Sequence, residues 1–290
     1  MTVMTTPDIQ AAEQFIAANA RVLERRRFDL LLRDGTPGPV RDAVAAYRNP
    51  DGGFGHALEP DARCPGSQPL AIDFALHLLY DHGAWDDGLA LAACGWLAAH
   101  APDGGGAVFA DPSIGGWPHA PWLAPGDSSP SVITTGLLAG TLHAGGVTHP
   151  WLDAATELLW SVIGGLTKPG PYDIRALLWF LEHVPDRERA EQALARIGPM
   201  IFDLGLVALD PRTQGEAHFP LDYAPLPRSP GRRFFDPPVI EAHLDHLAAA
   251  QRDDGGWTFN WLAWSPAAER EWRGVMTVEA LRILRANGRC

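Results

Sequence analysis

The sequence feature that most constrains the fold is a turn that recurs after segments with helical character. Residues 47–55 read Tyr-Arg-Asn-Pro-Asp-Gly-Gly-Phe-Gly, residues 102–106 read Pro-Asp-Gly-Gly-Gly, and residues 251–257 read Gln-Arg-Asp-Asp-Gly-Gly-Trp. Aspartate favours an Asx turn and glycine supplies a positive φ, so each copy ends a helix in the same way. A helix followed by a fixed turn, repeated along a chain, predicts stacked helical hairpins.

Apolar residues recur with a period near 3.6 through most of the chain, which predicts about ten helices and an all-α fold. The helical segments are 9–32, 39–47, 69–80, 86–100, 131–144, 150–163, 172–183, 187–203, 238–251 and 275–287. Only residues 204–209 suggest a short strand. Two connections rich in proline and glycine, 104–130 and 205–238, are long for helix connections and are therefore candidates to carry a site. Because no flexible linker separates two halves, we expect residues 1–290 to form one domain.

Composition excludes several classes of protein. The net charge of −12, from 35 acidic and 23 basic residues, argues against nucleic acid and anionic membranes as partners. No apolar stretch approaches the roughly 20 residues of a membrane span, and no signal sequence opens the chain, so we expect a cytoplasmic protein. Cys64, Cys94 and Cys290 are spaced neither as a disulfide framework nor as a metal clip.

Residues 247–257, with an apolar residue, a glutamine four positions later and then Gly-Gly-Trp, resemble the Gln-Trp motif of squalene–hopene and oxidosqualene cyclases. The segment from Tyr47 to Phe54 is similar to a shorter copy, with Arg48 at the glutamine position and Phe54 at the tryptophan position. Protein prenyltransferase β subunits carry similar Asp-Gly-Gly-Phe turns. The resemblance implies a single α/α toroid of helical hairpins and an enzyme that acts on an isoprenoid or other apolar small molecule in a tryptophan-lined cavity.

The chain departs from the chemistry of that superfamily. It has neither the Asp-x-Asp-Asp motif that protonates an alkene nor the Asp-Asp-x-x-Asp motif that binds magnesium. Two residues separate Asp61 from Cys64, whereas prenyltransferases hold zinc with an Asp-x-Cys pair. We therefore expect no metal and no cofactor, and an acid from another part of the chain.

Polar side chains are dense between the first repeated turn and the helix that begins near residue 69. We expect one of three carboxylates there to be the proton donor or general base: Glu59, Asp61 and Asp73. Three more side chains of this segment are candidates to bind substrate: His56, Arg63 and Gln68. The alternative is a solvated loop, with an ion pair between Asp61 and Arg63 and with Asp73 opposing a helix dipole.

Tryptophans are dense near the C-terminus, and their faces would suit a cavity wall that stabilises positive charge. The candidates are Trp257, Trp261, Trp264 and Trp272, with Asp222 and Tyr223 from the second long loop as a lid. Core packing and an ordinary loop are the alternatives, and Glu269 or Glu271 is the next place to seek an acid. Two other functions stay open: a non-catalytic toroid that binds an apolar ligand or a protein, and an α/α-barrel hydrolase acting on sugars with two carboxylates. The sequence leaves the oligomeric state open.

Overall fold

The computed structural model describes residues 6–126 and 128–290, and within them the chain forms twelve α-helices. Residues 1–5, on which the predicted lack of a signal sequence partly rests, lie outside the described residues. The helices are α1 Ile9–Asn19, α2 Val22–Leu32, α3 Pro37–Ala45, α4 Pro69–Asp81, α5 Asp87–Ala99, α6 Val132–Ala144, α7 Pro150–Gly165, α8 Pro171–His183, α9 Arg187–Asp203, α10 Pro220–Tyr223, α11 Pro237–Ala249 and α12 Pro266–Ala286. Three short 3₁₀ helices, Pro112–Gly116, Pro121–Leu123 and Pro230–Phe234, lie in the long connections.

The all-α prediction is confirmed: the described residues contain two isolated β-bridges and no strand. The short strand predicted for 204–209 is wrong, because its first three N–H groups bond back to the end of α9 and only Ala208 donates to a distant residue, His218, at 2.8 Å. Proline explains where many helices begin. It is the first residue of α3, α4, α7, α8, α10, α11 and α12, where its missing N–H costs no hydrogen bond.

Two predicted helix boundaries are wrong. The segment 9–32 is two helices, since Ala20 and Arg21 are extended between α1 and α2. An ion pair of 2.8 Å from Arg21 to Glu24 holds the start of α2. The last helix begins at Pro266, nine residues before the predicted start, because Ser265 caps it by accepting a bond from the Ala268 backbone. The four-residue helix α10 was not predicted.

The chain divides into two compact units. The terminal unit consists of residues 1–35 and 197–290, and the middle unit consists of residues 36–196. In the middle unit α4 packs on α6 and α6 on α8, while α5 packs on α7. In the terminal unit α12 contacts α1, α2 and α11. The arrangement into a single toroid domain stays a prediction.

The first and last of the repeated turns share one hydrogen-bonding pattern. In the first and last copies the second glycine donates to the preceding aspartate, from Gly53 to Asp51 at 3.0 Å and from Gly256 to Asp254 at 3.1 Å. The residue before each of these glycines donates to the backbone three positions earlier. The aromatic residues that follow are buried, with Phe54 0% and Trp257 2% exposed.

The middle copy is shifted by one residue from the alignment that its Asp-Gly-Gly letters suggest. Gly105, and not Gly104, donates to the backbone three positions earlier, at 3.0 Å from Pro102. Ala107 therefore takes the position that Phe54 and Trp257 hold in the other copies. Three successive glycines with positive φ, from 74° to 90°, replace the Asp-Gly-Gly geometry here.

Candidate functional site

The polar loop between the first turn and α4 is closed on itself. The backbone N–H of Gln68 donates to the Phe54 carbonyl at 2.9 Å, which joins the two ends of the loop. The Gln68 side chain donates to Ser113 Oγ at 3.0 Å and accepts from the Asp111 backbone at 3.0 Å. Gln68 is 3% exposed, and its buried amide joins the loop to the connection between α5 and α6.

Glu59 and Asp61 are both buried, and both have partners inside this loop. Oε2 of Glu59 accepts from the backbone N–H of Asp61 at 3.0 Å. Oδ2 of Asp61 accepts from the indole of Trp122 at 3.3 Å. Glu59, Gln68 and Leu70 line a hollow with room for about one water molecule. These contacts give the two carboxylates a structural role, and their predicted catalytic role stays a prediction.

The other polar residues of the loop lie at its surface or support its backbone. His56 has a φ of 55°, and its Nε2 lies 2.9 Å from Asn49 Oδ1. Arg63 donates to the Pro60 carbonyl at 3.1 Å. Cys64 is buried, and the described residues contain no cluster of His, Cys, Asp and Glu that could hold a metal ion.

Asp73 lies in a different environment, on the partly exposed face of α4. Among the described residues its Oδ1 is buried and has no hydrogen-bond partner. Burial raises the pKa of Asp73 to about 6, and the neighbouring His77 acts in the opposite direction. A carboxylate that loses hydration without gaining partners holds its proton to a higher pH. Asp73 therefore has a perturbation of the kind that functional sites share.

The next turns of α4 continue this face with ionisable and aromatic side chains. Nε2 of His77 lies 3.4 Å from Oδ2 of Asp81, one turn further on. The ring of His77 packs on Trp179 of α8, with 4.4 Å between the centroids. Trp179 also contacts Tyr80 at 6.0 Å and His183 at 4.2 Å. Asp73 thus stands at one end of a surface of mixed aromatic and titratable groups that α4 and α8 share.

Two glycines of α6 allow α8 to come this close. A Cβ on Gly136 would lie 3.1 Å from that of Ala176, and a Cβ on Gly140 would lie 2.5 Å from Cδ1 of Trp179. The indole of Trp179 reaches across to donate to Thr141 Oγ1 at 2.9 Å. Sequence analysis missed this surface, because a glycine pair four residues apart in a helix and a lone His at helical spacing are weak signals.

The predicted aromatic wall belongs to the terminal unit. Trp257 is a core residue whose indole donates to the Leu247 carbonyl at 2.8 Å. Trp261 packs edge-on against Trp272, with 5.3 Å between the ring centroids, and its ring centroid lies 4.5 Å from that of Phe259. Trp264 is half-buried just before α12. The structure therefore brings together Trp261 and Trp272, both half-buried, and gives Trp257 a packing role.

The two predicted lid residues are held in place by the backbone around α10. Oδ2 of Asp222 accepts from the backbone of Phe219 at 2.7 Å, which caps the helix. The hydroxyl of Tyr223 donates to the Leu206 carbonyl at 2.7 Å, and the residue is buried. On α12, Glu269 is exposed and Glu271 is half-buried.

No known family model and no curated protein matches this chain. The resemblance to the cyclase and prenyltransferase superfamily therefore depends on the turns described above. In the part of the chain that the structure describes, no helix is both long enough and apolar enough to cross a membrane.

Proposed function

We propose that this protein is an enzyme that transfers a proton to an isoprenoid or other apolar substrate, with Asp73 as the proton donor. The observation that carries the proposal is the state of Asp73, which combines a buried oxygen without a partner among the described residues with a pKa raised to about 6. A general acid works best when its pKa lies near the working pH. Glu59 and Asp61 already accept hydrogen bonds from neighbouring groups.

The toroid is part of this proposal. Its support lies in the layers of the middle unit, where α4, α6 and α8 are successive neighbours and α5 packs on α7. The turns add support, because a glycine of the first and last copies lies against the backbone of another helix: Gly52 against Ala92 of α5, and Gly255 against Ala11 of α1.

The alternative of a sugar hydrolase needs a second carboxylate within roughly 5–10 Å of the first. Asp81 is the other acid on this face of α4, but two turns of helix separate it from Asp73, about 12 Å along the axis. Asp81 is also paired with His77. The surface around Asp73 therefore favours proton transfer by a single acid over hydrolysis by two carboxylates.

The experiment is turnover in deuterium oxide with squalene and with geranylgeraniol, followed by mass spectrometry of the products. The proposal predicts a product with one carbon-bound deuterium from the wild type and loss of that product in Asp73→Asn. Asp42→Asn is the matched control, because Asp42 is a helical aspartate of the same unit whose side chain is 78% exposed. Absence of any product, or equal turnover in Asp73→Asn and wild type, would contradict the proposal and favour a non-catalytic toroid.

A further inference from the structure

Arg175 of α8 carries a charge that no acid neutralises within the described residues. Its guanidinium stacks on the ring of Tyr172 at 5.5 Å and makes no ion pair or hydrogen bond there. The half-buried Arg273 and Arg282 are paired with acids, at 2.8 Å from Asp254 and 2.9 Å from Glu279, and Arg232 is held by backbone carbonyls and Asn287. The protein has 35 acidic residues, yet none of those described pairs with this half-buried arginine. Its guanidinium is therefore available to bind an external anion.

The position of Arg175 relative to Asp73 follows from the ring contacts between α4 and α8. His77 meets Trp179, and Tyr80 meets both Trp179 and His183, so the two helices run in the same direction. Side chains four residues apart share a helix face. Asp73 lies one turn before His77, and Arg175 lies one turn before Trp179. The acid and the arginine therefore occupy the same level of the shared surface.

The intervening helix α6 lies close to α8 at this level. Gly136 of α6 stands against Ala176 and presents no side chain of its own. Asp73 and Arg175 do not form an ion pair, and the pKa of Asp73 responds to burial and to His77 but not to Arg175. A carboxylic acid and a guanidinium that share a level without pairing can each contact a different part of one ligand.

We propose that Arg175 binds the carboxylate of an apolar substrate whose reacting carbon lies beside Asp73; this inference rests on the proposed function. The planar guanidinium donates two parallel hydrogen bonds to a carboxylate, which is the anion that a single arginine fits best. A diphosphate needs more positive charge or a metal ion, and the described residues hold no metal-binding cluster.

The test is equilibrium binding at pH 7 by isothermal titration calorimetry, with dodecanoate, dodecanol and dodecyl phosphate as probes. We expect wild-type protein to bind dodecanoate at least about tenfold more tightly than dodecanol, as a charge-assisted hydrogen bond requires. Arg175→Gln should lose this preference, and Arg175→Lys should keep part of it. Arg189→Gln is the matched control, because Arg189 is a helical arginine of the same unit that stacks on Trp160 at 4.4 Å.

Three outcomes would overturn the inference: no binding of dodecanoate, the same preference in Arg175→Gln as in wild type, or tighter binding of dodecyl phosphate by tenfold or more. Since binding is measured without turnover, the result is independent of the Asp73 experiment. A protein that turns over isoprenoids but shows no preference for the carboxylate contradicts this inference alone. A protein that shows the preference but catalyses nothing contradicts the proposed function alone.

Discussion

The backbone N–H of Trp257 donates a hydrogen bond of 3.0 Å to Oγ1 of Thr277, 20 residues further along the chain. The middle turn repeats this relationship, since the N–H of Ala107 donates to Oγ1 of Thr135 at 3.0 Å. In both cases a threonine near the middle or the start of a later helix receives the first N–H after the turn. The two turns are therefore equivalent in how they join the next helix, although one carries a tryptophan and the other an alanine.

Thr277→Val should destabilise the protein by about 1–3 kcal/mol, because it leaves the buried N–H of Trp257 without a partner while keeping the side-chain shape. Thr135→Val should cost a similar amount for the same reason. The measurement is the free energy of unfolding in urea. Thr213→Val, at an exposed position, is the control and should change it by less than about 0.5 kcal/mol. Equal stability of wild type and Thr277→Val would show that the threonine is not needed by the turn.

Gly255→Ala should be among the most damaging substitutions in the chain. Gly255 has a φ of 88°, and a Cβ there would lie 2.1 Å from the carbonyl oxygen of Ala11. Gly146→Ala separates the two effects, because Gly146 has a φ of 71° but nothing within 4 Å of the added carbon. We expect about 1 kcal/mol of destabilisation at Gly146 from the backbone alone, and 3 kcal/mol or more at Gly255. Equal losses, measured by urea unfolding, would contradict the close packing of the turn against α1.

Asp73→Asn should remove a pH dependence of stability. The pKa of Asp73 is raised from 3.8 to about 6 in the folded protein, so the folded state binds more protons than the unfolded state between these values. Wild-type stability should fall as the pH rises from about 4 to above 6, by at most about 3 kcal/mol. The variant should lack this fall. Relative to wild type, its free energy of unfolding should therefore be higher above pH 6 than it is below pH 4. Parallel curves from urea unfolding at each pH would contradict the burial of Asp73.

His143→Gln should remove a pH dependence of stability that has the opposite sign, because His143 destabilises the wild type as the pH falls. Burial lowers the pKa of His143 from 6.5 to about 4, and its Nε2 lies 2.8 Å from the hydroxyl of Thr156. The folded state binds fewer protons than the unfolded state in this range. The stabilisation that neutral His143 contributes is therefore fully present above pH 6.5 and is lost as the pH falls towards 4. Wild type should lose up to about 3 kcal/mol over this window, and the variant should not. A histidine whose NMR titration midpoint stayed near 6.5 would contradict this prediction.

The sequence predicts the helices of this fold better than its site. Apolar periodicity and proline at first turns identify most helices, and Asp-Gly-Gly turns predict the buried Phe54 and Trp257. The break between α1 and α2 escapes prediction because the apolar pattern continues across Ala20, whose backbone is extended and which lies against Gly274 of α12.

The candidate site depends even more on contacts that a sequence pattern does not reveal. The polar loop is dense in acids, yet Glu59 and Asp61 accept bonds from Asp61 N–H and Trp122, which a linear pattern does not reveal. Asp73 was predicted with them, but its distinction comes from burial without a partner. The contact between His77 and Trp179 joins residues that lie about 100 positions apart, and Trp179 also lies against Gly140 of α6.

The account depends most on the protonation state of Asp73, and a ¹³C NMR titration of its carboxyl carbon measures that state without any substrate. The resonance is assigned by its loss in Asp73→Asn. The account predicts a midpoint near 6 for Asp73, well above the ordinary value of 3.8 for an aspartate. A midpoint for Asp73 at or below 4 would contradict the desolvated acid and, with it, the proposed proton transfer.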